Sequence, residues 1–232
     1  MGANVPLSSE RDDPYLLSAD DCARLLRDAP WTRFAAVGDS GAEGITEPVD
    51  GYSTRPWFDR VAAELRQVRP HLATRNFGKK NLLATEVRAT QLEPALEFGP
   101  DLVVVLSGGN DILQREFSPA GTESEIVEVV SVFLDRGMTV VTMGLFDITT
   151  SPYVPEKYRK VMSERIALLS GMVRDIAERL GALHVDLPSH PAGKEAIFST
   201  DGLHLNARGQ AIVATETVRR LGCHLGNQLD DH

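Results

Sequence analysis

The chain has 232 residues, 42% of them hydrophobic and 25% charged, an ordinary globular composition that excludes a disordered or fibrous protein. Its 33 acidic and 24 basic residues give a formal net charge of −9, and the basic residues are scattered. A nucleic-acid partner is excluded on that ground, because phosphate binding needs concentrated positive surface.

In chain order, residues 18–28 read as an N-terminal helix capped by Ser18. A first strand at 33–37 runs straight into Gly38-Asp39-Ser40-Gly41, followed by a Pro/Gly-bearing insertion at 43–56. A helix at 57–68, a strand at 71–76 and a helix at 82–98 come next, with amphipathic spacing in both helices. A strand at 102–107, a helix at 123–136 and a strand at 139–144 precede a second insertion at 146–155. The chain closes with a helix at 156–180, a strand at 183–186, a helix at 207–221 and a tail expected to fray after Cys223.

This alternation predicts an α/β protein, with five parallel strands covered by helices on both faces. With no repeat, linker or low-complexity tract, residues 1–232 read as a single domain, with its core at about 31–222. Both insertions follow strands at their carboxyl ends, where open α/β sheets place ligand sites. The start carries no basic leader followed by an apolar run, and no stretch approaches the roughly 18 apolar residues of a membrane span. A cytoplasmic protein without membrane contact is expected. Cys22 and Cys223 stand near opposite ends without C-x-x-C spacing, so neither a metal site nor a disulfide framework is expected.

Three segments carry chemistry. The small residues around Ser40 allow a tight turn that leaves a serine exposed at the sheet edge, although the same residues also end strands for conformational reasons alone. A phosphate loop is excluded: neither the G-K-[ST] ending nor G-x-G-x-x-G is present, and Asp39 and Glu43 repel phosphate. After the third strand, Ser107-Gly108-Gly109-Asn110-Asp111 offers the Asn110 carboxamide as an oxyanion donor, with Asn or Asp as a helix cap the competing reading. Near the C-terminus, Asp201-Gly202-Leu203-His204 sets a carboxylate three residues before an imidazole, a spacing that lets Asp201 orient His204 as a base. A metal pair is the alternative there, but no third ligand is attached. All three segments follow strands, so they converge on one edge of the sheet.

In these blocks, Gly38-Asp39-Ser40 with Gly44, Gly109-Asn110-Asp111 and Asp201-Gly202-Leu203-His204, the chain resembles the SGNH hydrolase superfamily, the GDSL-type esterases and lipases. The resemblance spans about residues 33–221. The stretch 44–59, with Glu47-Pro48, Gly51-Tyr52 and Trp57, is similar to small single-domain bacterial members. It implies a three-layer α/β/α sandwich of flavodoxin-like strand order, with Ser40 as nucleophile, His204 as base and Asp201 steadying the imidazolium. The Ser40 backbone N–H, the Asn110 side chain and a backbone N–H from the second block would hold the oxyanion. That block departs from the family pattern: in Asn76-Phe77-Gly78-Lys79-Lys80-Asn81, Asn81 stands at the usual glycine position, with Gly78 the alternative.

Asp39, Gly109, Ile112, Phe117, Phe146 and Tyr153 are expected to line the acyl pocket, whereas Trp31, Phe34, Trp57 and Phe58 are expected in the core. The expected activity is hydrolysis of a small acyl ester, with acetyl the candidate acyl group, without metal or cofactor. Acyl transfer from the same acyl-Ser40 and a non-catalytic ligand-binding role are the alternatives.

Overall fold

The structure, a computed structural model, describes residues 9–229. Its sheet comprises β1 (Arg33–Gly38), β2 (Ala73–Asn76), β3 (Leu102–Leu106), β4 (Thr139–Met143) and β5 (Leu183–Val185). All neighbours are parallel, in the order β2-β1-β3-β4-β5. This is the flavodoxin-like order, and winding reverses between β1 and β3, which places a crevice at the carboxyl ends of those two strands.

The central strands are apolar on both sides because both sides are covered. Phe34, Ala36, Leu102, Val104, Val141 and Met143 face one cluster with α1 (Ala19–Leu26), α3 (Trp57–Val68) and α7 (Ala207–His224). Ala35, Val37, Val103, Val105 and Val140 face the other, with α4 (Ala84–Phe98), α5 (Pro119–Asp135) and α6 (Glu156–Leu180). Trp31, Phe34, Trp57 and Phe58 are all buried, as expected of core aromatics.

Several boundaries move for local reasons. The turn after β1 is itself a single helical turn, α2 (Ser40–Glu43). Strand β2 starts at Ala73 instead of 71, because the Leu72 N–H is turned back to the Arg69 carbonyl. Helix α5 begins four residues before the expected 123, at Pro119, with the Ser118 hydroxyl accepting from the Gly121 N–H. Ser-Pro is a start signal that helical periodicity alone does not register. At the start of the expected tail, α7 runs to His224, and buried Asn227 donates to the Leu25 carbonyl at 2.9 Å. Residues 230–232 of that tail lie outside the described residues. Both cysteines are free, Cys22 buried and Cys223 exposed. Among the described residues no helix is long and apolar enough to cross a membrane.

Candidate active site

The site starts at the end of β1. Gly38 has φ 145°, and a Cβ there would lie 1.8 Å from the Leu106 carbonyl oxygen, so only glycine lets β1 approach β3 so closely. Buried Gln91 clamps this residue from α4: its Oε1 accepts the Gly38 N–H at 2.7 Å and its Nε2 donates to the Gly38 carbonyl at 2.8 Å. Ser40 is the first residue of α2, and its N–H has no intrachain acceptor among the described residues, as expected of a first helical N–H. The cap is Asp39. One carboxylate oxygen accepts from the Gly41 N–H at 2.9 Å and the other from the Gly109 N–H at 3.0 Å. Burial pushes the Asp39 carboxyl up to about 6, and those N–H groups offset the burial only in part.

The opposite wall comes from the loops after β2 and β3. The Asn110 side-chain amide donates one N–H to the Leu82 carbonyl at 3.0 Å, which leaves its second N–H unengaged. Asp111 does act as a cap, but for α4: it accepts from the Ala84 N–H at 2.9 Å and from the Thr122 hydroxyl at 3.1 Å. In the second block, Gly78 is needed for close approach, since a Cβ there would lie 2.3 Å from the Glu43 nitrogen. Its N–H is taken by the Asn76 side chain at 2.8 Å, so Gly78 is not a free donor. Asn81 has φ 66°, the only positive value at a non-glycine among the described residues. Its N–H has no intrachain acceptor among them, and it adjoins Leu82, which holds Asn110.

The third component is the loop after β5. An antiparallel bridge between Phe198 and Leu205 closes it, and Asn206 caps α7 by accepting from the Gly209 N–H. His204 Nδ1 lies 2.6 Å from Asp201, whose other oxygen accepts the N–H groups of Leu203 and His204, each at 2.9 Å. Burial raises the Asp201 carboxyl, but the His204 ring and the two N–H groups outweigh it and hold the group below its ordinary value. The Nε2 of His204 is buried and makes no hydrogen bond, to Ser40 or any other group, among the described residues. Catalytic hydrogen bonds commonly tighten only when substrate is bound. Glu47 ties the 43–56 insertion to this loop, since its carboxylate accepts the Thr200 N–H at 2.7 Å and hydroxyl at 2.8 Å.

Ser40, Asn110 and His204 line one cavity of about 120 Å³, together with the expected Asp39, Gly109, Ile112 and Phe146. Phe117 and Tyr153 do not line it. Phe117 packs on the α4–α5–α6 side of the sheet, with the Arg165 guanidinium 5.7 Å from its ring centre. The Tyr153 backbone lies against Gly202, which has φ 72°, and the side chain is exposed. Sequence reasoning missed Gln91, Glu47 and Gln210. Buried Gln210 accepts the Trp57 N–H and donates to the Ile45 carbonyl, each at 3.0 Å, so the first insertion is anchored to α7. The signal for Gln91 was its place in the buried stripe Val87, Gln91, Ala95, where an amide has to find backbone partners. Among the described residues no group of three or more His, Cys, Asp or Glu side chains is placed to hold a metal ion.

A serine-bearing turn and a carboxylate-held imidazole on the carboxyl edge of a doubly wound sheet define the class of α/β carboxylic-ester hydrolases. A sequence model of the GDSL-like lipase/acylhydrolase family matches residues 36–212, and the chain belongs to that family. Among solved structures it is similar to LAE5, an alpha/beta hydrolase enzyme from the metagenome of Lake Arreo, Spain, with TM-score 0.67 and 19% identity over 83% of this chain and 95% of that one. It is similar also to Axe2, an acetylxylan esterase from Geobacillus stearothermophilus, with TM-score 0.63 and 20% identity over 82% of this chain and 94% of that one. Structures described as catalytic mutants of Axe2 replace a serine, an aspartate and a histidine. No curated protein matches the sequence.

Proposed function

We propose that the protein hydrolyses small-molecule acyl esters through a covalent acyl-Ser40 intermediate. The observation that carries this reading is the buried, unpartnered Nε2 of His204, a residue that lines the cavity with Ser40 while Asp201 holds its other ring nitrogen. That pairing leaves Nε2 as the acceptor, so it takes the Ser40 proton as Oγ adds to the ester carbonyl. The imidazolium, steadied by the Asp201 carboxylate, then protonates the departing alkoxide. A water, deprotonated at the same Nε2, adds to the acyl carbonyl, and Ser40 leaves with a proton to regenerate the enzyme and a carboxylic acid. The oxyanion is held by the Ser40 N–H, the second Asn110 amide N–H and the Asn81 N–H. Asn81 is chosen over Gly78 because the Gly78 N–H is already engaged whereas that of Asn81 has no acceptor among the described residues, although Asn81 is exposed and lies outside the residues that line the cavity. Acetyl esters are the reference substrates, since Axe2 is an acetylxylan esterase. The two free thiols fit a cytoplasmic setting.

The test uses p-nitrophenyl acetate and a fluorophosphonate label. The native protein turns over the ester and is labelled, while Ser40→Ala abolishes both. Asp201→Asn lowers kcat by about 10⁴-fold. Labelling that persists in Ser40→Ala, or a His204→Ala protein that keeps most of its rate, overturns the assignment.

A further inference from the structure

The lining of the cavity beside Ser40 is mostly apolar. Beyond the polar Asp39, Ser40, Asn110, His204 and Gln210, its wall includes side chains such as Leu106, Met143, Leu145, Phe146, Ile166 and Val213. These lie at or beyond the carboxyl ends of β3 and β4 and on α6 and α7. With neighbouring strands about 4.8 Å apart, the apolar wall extends well past the space that an acetyl methyl group on Ser40 would fill. Met143, Phe146, Ile166 and Val213 in this lining are core residues, while Leu113 and Leu203, 39% and 37% exposed, are its solvent-facing members.

A buried apolar lining suits the acyl group, not the alcohol. The alcohol has to depart past His204 while the acyl group is still bonded to Ser40, and water has to arrive by the same path. A chain packed against the buried apolar side chains stays out of that path, whereas an alcohol lodged there would have to leave it before water could act. The whole cavity, about 120 Å³, is slightly smaller than an apolar void of about 150 Å³ that accepts benzene, which sets an upper bound on the length. Resting on the esterase reading above, we infer that the preferred acyl group is an unbranched aliphatic chain of about four to six carbons, butanoyl to hexanoyl, in preference to acetyl.

Each methylene buried on the way to the transition state raises kcat/KM by about fourfold. Butanoate therefore exceeds acetate by about 15-fold if both added methylenes are buried, and dodecanoate falls below hexanoate because the cavity is full. The experiment measures kcat/KM for p-nitrophenyl acetate, butanoate, hexanoate, octanoate and dodecanoate, with ethyl and hexyl acetate to place the chain on the alcohol side. A maximum at butanoate or hexanoate, without a matching gain for hexyl over ethyl acetate, supports the inference. Leu145→Trp fills the cavity and lowers the hexanoate-to-acetate ratio at least tenfold, whereas Phe146→Ala enlarges it and moves the maximum to a longer chain. Leu145→Trp keeps the test available if the cavity-enlarging variant fails to fold.

A steady decline from acetate upward, with Ser40 labelled normally, overturns the acyl-chain inference and leaves the esterase reading intact. So does a chain preference confined to the alcohol, or a Leu145→Trp ratio that does not move. Loss of all turnover and labelling in the native protein overturns the esterase reading itself.

Discussion

Replacing Asp39 by asparagine removes the one buried carboxylate that bridges the Ser40 turn to the Asn110 loop. Burial raises this carboxyl from an ordinary 3.8 to about 6, so the folded protein binds the proton more tightly than the unfolded chain. The linkage sign follows: between those values the native state holds more protons, and stability falls as pH rises. Asp39 thus favours folding most below about 3.8, and that contribution is lost by the time pH has risen through about 6. The total is about 3 kcal/mol, of which about 2 kcal/mol falls between about pH 4.5 and 6.5. The asparagine side chain cannot ionise. Measured by urea unfolding, the stability of Asp39→Asn relative to the native protein should therefore rise by about 2 kcal/mol across that interval. Carboxyls held below their ordinary values, at Asp13, Asp147 and Asp201, oppose this trend in both proteins and cancel in the difference. At neutral pH the variant keeps one acceptor but turns an NH2 group toward the Gly109 or Gly41 N–H, which loosens the donors around Ser40. The expected loss is about 10- to 100-fold in kcat with little change in KM. A pH-independent difference in stability would refute the assigned protonation, and unchanged kcat would refute the positioning role.

Gln91→Leu leaves the Gly38 N–H buried without its acceptor and should cost about 1–3 kcal/mol in urea unfolding, with a fall in kcat as the turn loosens; a loss below about 0.5 kcal/mol contradicts the clamp. Asn81→Gly preserves the left-handed conformation and should retain activity, whereas Asn81→Val forces a β-branched residue to φ 66° and should cost about 1–2 kcal/mol together with rate. Equal behaviour of the two variants counts against the backbone role of this residue. Asp13→Ala removes the carboxylate that meets the Arg208 guanidinium at 2.7 Å and the Tyr52 hydroxyl at 2.7 Å in the core. Guanidinium denaturation should show about 3–5 kcal/mol lost, even though Glu195 remains as a partner of Arg208; a loss near about 1 kcal/mol means that Glu195 alone suffices.

The fold was legible because strands buried on both faces leave a strong imprint. Leu102-Val103-Val104-Val105-Leu106 reads as an interior strand without any neighbour, and the helices between such runs announce a parallel sheet. The residues proposed for the ester chemistry were legible for a related reason. Ser40, Asn110, Asp201 and His204 each sit within a short local motif directly after a strand or before the last helix. A misjudged boundary of two or four residues, as at β2 and α5, therefore did not displace them.

Other parts rest on contacts between segments far apart in the chain. Gln91 lies 53 positions from the glycine it clamps, and Glu47 lies 153 positions from the Thr200 it holds. The stripe Val87, Gln91, Ala95 marks Gln91 as a buried amide in need of partners, but no local pattern says which residue either Gln91 or Glu47 will meet. Phe117 and Tyr153 were placed in the pocket because they follow the right strands, yet a loop residue's direction depends on what it packs against, here Arg165 and Gly202. The second block shows the division within a single loop. The residues by themselves established that Asn81 occupies a place usually held by glycine and that Gly78 was the other candidate. In the folded chain Asn76 takes the Gly78 N–H while that of Asn81 has no acceptor among the described residues, and the proposed oxyanion set includes Asn81 on that ground. Sequence determines which donors and nucleophiles exist and near which strand ends they fall, since those are local properties. Which of them are already engaged, and how much apolar space lies beside them, is set by packing among segments that meet only in the folded protein.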